Sequence, residues 1–436
     1  MKHMLYIPTN RECGIAIGKY LSECEYIQQY TGEETFFLLV ESNDLPCANR
    51  NSLSIQSNQS GVKAIDFTIN KQKQFLDKVI NNCEKVTTKD RERLKVLLQP
   101  QGVCYGAGPN KAALLAAALN VSVLHRRDSD TIPYVYEGNT KYPSTLECDY
   151  ILSNYNSLTH KYNGDTVYFI GSNYIGEAPI DYAELMEISP EFVYRIKKTE
   201  NPARPLENII NRVQEYFDSP NEVYEGTDVV KEDTTGLSEM GNCCVAEMFL
   251  HLPEMPMKNI LGCDYMQKNV LYRLNFPILY HNRKVDHAYT NGRDTKQDIE
   301  QFIDYNLRDV RFKLMMRIRN RHNNILKSNR DCLIDKASVI NTDVYVAGFQ
   351  QAVHEIPSSV LESMIDTLVT IYREIGQCGA EYKFKKYSIL ADELIRSKAS
   401  LVRDVYDGIE DYCFLINNWK YLIESARKVD CSFLME

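Results

Sequence analysis

The first 125 residues alternate between apolar runs of strand length and segments with helical periodicity, and this alternation constrains the fold more than any other feature. The strand-like runs cover residues 4–8, 35–42, 62–69 and 121–125, and the helix-like segments cover residues 13–30, 71–83 and 108–120. Strand–helix–strand order predicts an α/β layer with a mostly parallel sheet. Because ligands bind at the carboxyl ends of such strands, the residues after each strand are the first candidates for a site.

From about residue 296 the pattern changes to long amphipathic helices. One apolar stripe, for example, contains Leu361, Met364, Ile365, Leu368 and Val369. We therefore predict an α/β domain over residues 1–295 and a C-terminal helical domain over residues 296–436, and we expect the helical domain to supply the contact of any homodimer. Residues 219–240 are polar and without periodicity, which predicts a loop.

Charge and cysteine usage restrict the class of protein. The net charge is -9, with 50 Lys and Arg against 59 Asp and Glu, so nucleic-acid binding has no electrostatic support. The 13 cysteines form no CxxC pair and indicate reduced thiols. The N-terminus MKHMLYIPTN lacks the apolar region of a signal peptide, and no apolar run has the length of a membrane span. These features favour a cytoplasmic protein and make a membrane role unexpected.

The motif HRRDSD at residues 125–130 places Asp128 and Asp130 directly after a predicted buried strand. Two carboxylates separated by one residue can both bind one Mg²⁺ or Mn²⁺ ion, which also accepts phosphate oxygens as ligands. A chain of this length contains about one D-x-D by chance. The position after a strand favours the metal-binding interpretation over chance.

Polar residues also follow the first two predicted strands. After the first strand come Thr9, Asn10 and Arg11, which form either a polar connecting loop or part of a ligand site in which Arg11 contacts a phosphate or the acid pair. Glu41 ends the second strand and is either a solvated strand terminus or an acceptor for a nucleoside base or ribose.

The segment YGAGPNKAAL at residues 105–114 leads from a glycine-containing loop into a helix. Asn110 and Lys111 lie in the first turn, where free backbone N–H groups face an anion. The segment is neither a Walker loop nor a GxGxxG motif, so the phosphate-binding signal is weak by itself.

Taken in order, these motifs resemble the GT-A glycosyltransferases, including the family-two-like group. The resemblance rests on TNR after the first strand, an acid after the second, G-x-x-x-N-x-A opening a helix, and a strand followed by D-x-D, and it covers about residues 4–295. The patterns PTNREC, CYGAGPNKA, HRRDSD, IGSNYIGE, LGCDY and YHNR are also similar to a bacterial domain family of uncharacterised function. The implied fold is a Rossmann-like, nucleotide-sugar-binding sheet followed by the helical domain.

The resemblance implies a metal-dependent glycosyltransferase that uses a UDP- or GDP-sugar and an acceptor that is a peptide, a small metabolite or a glycan. Asp128 and Asp130 would hold Mn²⁺ or Mg²⁺ against the diphosphate. Arg126 and Arg127 either reach the diphosphate or form structural ion pairs. His281 is the preferred further metal ligand and His287 the alternative, while Lys284 and Arg293 would cover the phosphates.

For the acceptor proton, the resemblance points to Asp264 as general base, with Glu247 as a weaker candidate. An N-cap of the following helix is the alternative role for Asp264. The residue before Asp264 is Cys263, whereas family-two enzymes more usually have an E-D pair, which leaves the base assignment and the stereochemistry open.

Two other functions compete with glycosyl transfer. A sugar nucleotidyltransferase would need a glycine- and lysine-rich loop after the first strand, which PTNREC lacks. A non-catalytic interaction protein with a degenerate fold would use the basic residues 311–322 on a membrane or an acidic partner. In the alternative interpretation of that segment, Leu314, Met315 and Ile318 pack the helix against the protein.

Overall fold

A computed structural model describes residues 1–42, 45–57, 60–156, 166–176, 182–200, 202, 205–218, 224–234, 236–287, 298–333 and 340–435. The strands are β1 (His3–Thr9), β2 (Thr35–Glu41), β3 (Lys63–Phe67), β4 (Val123–Arg127), β5 (Thr131–Pro133), β6 (Val135–Tyr136), β7 (Asn139–Thr140), β8 (Phe169–Gly171), β9 (Tyr174–Ile175), β10 (Val230–Glu232), β11 (Asn242–Ala246), β12 (Ile278–His281) and β13 (Val285–His287).

The helices alternate with the strands in the first half and dominate the second. They are α1 (Gly14–Thr31), α2 (Leu45–Gln56), α3 (Ile69–Asn81), α4 (Thr88–Leu98), α5 (Ala107–Ala118), α6 (Ser144–Tyr150), α7 (Tyr182–Ile188), α8 (Pro190–Glu200), α9 (Leu206–Asp218), α10 (Met248–His251), α11 (Met266–Leu274), α12 (Ile299–Ser328), α13 (Arg330–Leu333), α14 (Thr342–Glu355), α15 (Ser358–Gln377) and α16 (Tyr382–Ala426). The predicted mixed α/β class with a C-terminal helical region is confirmed.

The main sheet has eight strands in the order β10-β12-β8-β11-β4-β1-β2-β3. β1 to β4, β8 and β12 run in one direction, and β10 and β11 run antiparallel to their neighbours. The start of β11 therefore lies at the same edge as the ends of β4 and β8. This edge collects the residues that follow the parallel strands and those that precede β11.

The central strands are buried on both faces, as continuous apolar runs require in a parallel sheet. Leu5 and Ile7 of β1 pack on one face with α1, whereas Met4 and Tyr6 pack in the larger core on the other. The predicted loop over residues 219–240 is wrong in part, because β10 forms within it and pairs with β12.

The helical region shares a core with the sheet rather than forming a separate one. Trp419 of α16 is fully buried, and its Nε1 donates to the Phe249 carbonyl at 2.9 Å. Ser425 Oγ donates to the Val79 carbonyl at 2.6 Å. The predicted stripe on α15 is buried in the same apolar cluster.

The basic segment of residues 311–322 packs into this core. Leu314, Met315 and Ile318 are buried, and Arg311 Nε donates to Asp404 Oδ2 at 3.0 Å. This geometry favours the packed interpretation of the segment over a membrane-facing one. None of the helices in the described ranges has both the length and the apolar character needed to cross a membrane.

Candidate functional site

The acid pair lies where β4 ends beside β1. Arg11, in the loop after β1, donates from Nη1 to Asp130 Oδ2 at 3.0 Å. His287 Nε2 lies 3.3 Å from the same oxygen. The register explains this contact, because His287 of β13 pairs with Thr131 of β5, the residue after Asp130. Tertiary structure therefore joins Arg11, Asp130 and His287 into one cluster.

Asp128 is held by neighbours that leave its carboxylate partly accessible. Tyr174 donates its hydroxyl to Asp128 Oδ2 at 3.0 Å, and the Asp128 backbone N–H donates to the Gly241 carbonyl at 3.0 Å. The Asp128 side chain remains 30% exposed. Tyr174 also stacks on His287, with ring centroids 5.2 Å apart, so the small sheet β5-β13-β9 positions both residues.

The pKa values of Asp128 and Asp130 are shifted in opposite directions. Burial raises the pKa of Asp128, the Arg126 charge opposes this shift, and the charge of Asp130 adds to it. Burial would also raise the pKa of Asp130, but the hydrogen bond and charge of His287 outweigh burial, so this pKa is below its usual value. Asp130 is therefore the more firmly ionised of the two.

Asp264 lies beside the acid pair and forms an ion pair with an arginine. Arg126 donates from Nη1 to Asp264 Oδ2 at 2.6 Å and from Nη2 to Asp128 Oδ1 at 3.4 Å. Asp264 does not cap α11: Glu254 does so, accepting from Met266 N at 2.7 Å. The alternative N-cap role of Asp264 is therefore wrong, and Arg126 is a residue of the site.

A further acid beside Asp264, Glu239, was not predicted from the sequence. Its carboxylate accepts a hydrogen bond from the Tyr265 hydroxyl, and its backbone N–H donates to the Ser172 carbonyl at 2.7 Å. Burial raises the pKa of Glu239, and the charges of Asp264 and Asp128 add to the shift. Because Glu239 lies in an aperiodic stretch, no local pattern marks it.

Arg127 and His281 lie on the other face of the sheet, which corrects both assignments. Successive residues of a strand point to opposite faces, so Arg127 points away from Arg126. Its guanidinium is fully buried between Glu23 and Glu147, each at 2.8 Å. His281 is also fully buried, with Nε2 3.8 Å from Glu147 Oε1. The structure supports the alternative for each residue. Arg127 forms a structural ion pair, and His287 is the histidine at the acid pair.

Glu247 is not at the site either. It follows β11, whose antiparallel course carries the chain from Asn242 at the site edge to the opposite edge of the sheet. There the Glu247 backbone N–H donates to the Ser122 carbonyl, before the start of β4, at 3.1 Å. Five strand residues span roughly 15 Å, so a role for Glu247 as base is wrong.

The start of α5 packs against backbone instead of facing a ligand. Asn110 donates to the Glu254 carbonyl at 2.8 Å and accepts from the Glu254 N–H at 2.7 Å. Lys111 Nζ is buried and donates to Gln72 Oε1 at 2.7 Å. A Cβ on Gly106 would lie less than 3.0 Å from the Met255 carbonyl. Ligand-binding roles for Asn110 and Lys111 are therefore not supported.

The loop after β1 is held by its own side chains. Thr9 Oγ1 accepts from the Arg11 N–H at 3.2 Å, and Asn10 Oδ1 accepts from Arg11 Nε at 3.3 Å. Glu41, at the end of β2, is buried, so it is not a solvated terminus. Lys284 is also buried, and Arg293 lies outside the described residues.

Two preformed groups of metal-type donor atoms occur in the described part of the chain, and neither includes the acid pair. They are His3, His125 and Cys148, and His125, Glu147 and Cys244. His3 Nδ1 lies 3.0 Å from His125 Nε2, and His125 Nδ1 lies 2.6 Å from Glu147 Oε2. His3, His125 and Glu147 thus bond in series, and Glu147 also binds Arg127, so a metal would have to replace existing hydrogen bonds.

The chain belongs to a family of unknown function, DUF6271, whose profile matches residues 2–434. A comparison with curated proteins finds no match.

Proposed function

We propose that this protein is a metal-dependent glycosyltransferase of the GT-A type, which transfers a sugar from a nucleoside diphosphate sugar to an acceptor. The observation that carries the proposal is the convergence of Asp128, Asp130, Arg11 and His287 at one edge of the sheet. The neighbouring order β3-β2-β1-β4 is that of a Rossmann-like half, and ligands of such sheets bind where the strand order reverses, here between β1 and β4.

The residues at this edge fit a divalent ion that binds together with a diphosphate. Asp128 offers a partly exposed carboxylate, Asp130 a firmly ionised one, and His287 an imidazole beside it. When bound, Mn²⁺ or Mg²⁺ would neutralise the charge that develops on the leaving diphosphate. Arg11 ends next to Asp130, where its planar guanidinium can contact phosphate oxygens.

Two acids are candidates to take the acceptor proton. Asp264 accepts a hydrogen bond from Arg126 at 2.6 Å, so this carboxylate is already engaged by a guanidinium. Glu239 is half-buried, accepts from a neutral Tyr265 hydroxyl, and has a raised pKa caused mainly by burial. Among the described residues, Glu239 has no cationic hydrogen-bond partner of this kind, and an upward pKa shift strengthens a carboxylate as a general base, so Glu239 is the better candidate. The proton of the acceptor hydroxyl passes to its carboxylate as the new C–O bond forms and the bond to the diphosphate breaks.

The test is a thermal and chemical unfolding assay of the full chain with UDP, GDP and their sugars, with and without Mn²⁺. At about 100 times the dissociation constant, a ligand that binds only the folded state adds about 2.7 kcal/mol of stability. We expect metal-dependent stabilisation in the wild type and its loss in Asp128→Asn. Asp392→Asn on α16, an acid whose side chain is 66% exposed, is the matched control. If no nucleotide stabilises the wild type with Mn²⁺, or if Asp128→Asn responds like the control, the proposal is wrong.

A further inference from the structure

A cavity of about 760 Å³ lies between the helices α8, α12 and α15. Small-molecule sites usually occupy about 300–1,000 Å³, and their walls are mostly apolar with a few polar groups. The walls of this cavity are mostly apolar as well. The cavity therefore has the size and the character of a ligand site, and neither the metal-binding nor the proton-transfer chemistry proposed above uses it.

Two helices form the long walls of the cavity. On α15 the lining residues extend from Ser359 to Ile371 along one face, and a helical segment of this length spans about 18 Å. Across from them, Glu191, Tyr194 and Lys198 of α8 have the spacing that places side chains on one face of a helix. The cavity is therefore an elongated groove about 18 Å long.

Polar contacts hold these walls in place. Arg195 Nη2 donates to Glu374 Oε1 at 3.0 Å, which joins α8 to α15. Asn320 Nδ2 donates to the Glu200 carbonyl at 3.2 Å, which joins α12 to the end of α8. Because the groove is held open by these contacts, a ligand does not have to separate the helices before it binds.

Arg317 of α12 lines the groove with a cation that has no partner. Its Nε is buried and makes no hydrogen bond within the described ranges, and none of the ion pairs between described residues includes its guanidinium. Buried polar atoms are rarely left without a partner, and each exception calls for an explanation. The other cations at the groove differ in this respect, since Arg195 is paired with Glu374 and Lys198 also has a partner. The acid at the groove, Glu191, is exposed to solvent.

The guanidinium of Arg317 selects the head group of a ligand. It offers N–H donors in a planar fork and no acceptor, so its best partner is an anion with two oxygens in one plane. A carboxylate has this shape and carries one negative charge, which balances the one unpaired cation. A phosphate monoester carries about -1.5 to -2 charges at pH 7 and would bring excess negative charge into an apolar groove.

We propose that this groove binds an alkyl carboxylate, with its chain along α15 and its carboxylate against Arg317. The apolar floor, which includes the buried side chains of Met364 and Ile371, removes the chain from water. Each methylene that is buried raises the affinity by up to about fourfold. The site is separate from the acid pair, so the proposal does not depend on glycosyl transfer.

The experiment is calorimetric titration of the full chain with octanoate, decanoate, dodecanoate, decyl phosphate and the uncharged 1-decanol, without metal or nucleotide. For the wild type we expect the affinity of the carboxylates to rise about two- to fourfold for each added methylene. We also expect decanoate to bind at least about tenfold more tightly than 1-decanol, because only decanoate pairs with the guanidinium.

Two variants and their matched controls test the position of the ligand. Arg317→Gln should remove the preference for decanoate over 1-decanol, whereas Arg396→Gln, at an exposed arginine of α16, should keep it. Ser363→Trp should fill the groove and abolish the binding of both probes. Thr370→Trp, at an exposed position of α15 that does not line the groove, should bind them as the wild type does.

The outcomes are decisive in either direction. If 1-decanol binds the wild type as tightly as decanoate, or if Arg317→Gln keeps the preference, Arg317 does not hold the head group and the proposal is wrong. Tighter binding of decyl phosphate than of decanoate would contradict the assignment to carboxylates. If none of the probes binds the wild type, the proposal is also wrong, and a dimer that Ser363→Trp converts to a monomer would show that a second copy covers the groove. The wild-type series decides the question even if a variant does not fold.

Discussion

Replacing Gly241 by alanine tests how the structure holds the acid pair. A Cβ at this position would lie well under 3.0 Å from the Asp128 carboxylate and from the Tyr174 hydroxyl, closer than real Cβ atoms come to other atoms. The Asp128 side chain is short and is already held by Tyr174 and Arg126. The carboxylate therefore has to move by about 1 Å before the methyl group fits.

The size of this shift sets the expected effect. Metal–ligand distances tolerate changes of about 0.2 Å, so a displacement of about 1 Å removes Asp128 from the coordination of an ion held with Asp130. Forcing an extra methyl group into a packed site also costs typically about 1–3 kcal/mol of folding stability. We expect Gly241→Ala to fold, to be less stable by that amount in urea, and to lose the Mn²⁺-dependent stabilisation by nucleotides.

Gly18→Ala is the matched control, because nothing lies within 4 Å of a Cβ at Gly18 in α1. Alanine there should leave nucleotide binding intact and raise stability by about 0.5–1 kcal/mol, since alanine is the better helix former. If Gly241→Ala unfolds at the wild-type urea concentration and binds Mn²⁺ and nucleotide with wild-type affinity, the reasoning on the close approach is refuted.

Four further predictions follow from the same contacts. His287→Ala should weaken Mn²⁺ binding in calorimetry, whereas His281→Ala should leave Mn²⁺ affinity unchanged; the opposite result would restore His281 as the ligand. Glu239→Gln should lower kcat for nucleotide-sugar hydrolysis by about 100-fold with little change in KM, and an equal loss confined to Asp264→Asn would identify Asp264 as the base. Burial raises the pKa of Glu254 to about 8, and the charge of Asp264 adds to this shift. The contribution of the Glu254 carboxyl to the free energy of unfolding is therefore complete below its usual pKa of 4.5 and is lost as the pH rises through 8. Urea unfolding between pH 5 and pH 8.5 should show a decline that is shallower in Glu254→Gln, and parallel curves would contradict the shift. Trp419→Ala should cost about 3–5 kcal/mol and still give one unfolding transition by calorimetry, because the tryptophan belongs to a core shared by both regions; a separate transition of the helices would contradict that.

The sequence was informative wherever a signal is local. Apolar runs and helical stripes depend on neighbours a few residues away, so they predicted the alternating α/β half and the helical region. The ends of the apolar runs also predicted that Arg11 and Asp128 follow strands, and parallel strands bring such ends to one edge of the sheet. The contact of Arg11 with Asp130 is the structural counterpart of that expectation.

The sequence was uninformative where the decision depends on which way a side chain points. Arg126 and Arg127 are chemically identical and adjacent, yet one joins Asp264 at the candidate site and the other is buried against Glu147 on the opposite face. Strand alternation requires that they separate, but only the packing of the sheet determines which of them faces the site.

The partners of the acid pair were decided by tertiary structure alone. His287 reaches Asp130 because β13 pairs with β5, and Glu239 reaches the site because β11 runs antiparallel and begins at the ligand edge. The pairings of β13 with β5 and of β11 with β4 join residues more than 100 positions apart, and no local periodicity specifies their register. The sequence by itself therefore determined the α/β class and the strand-end acids, whereas strand order and register decided which distant groups surround them.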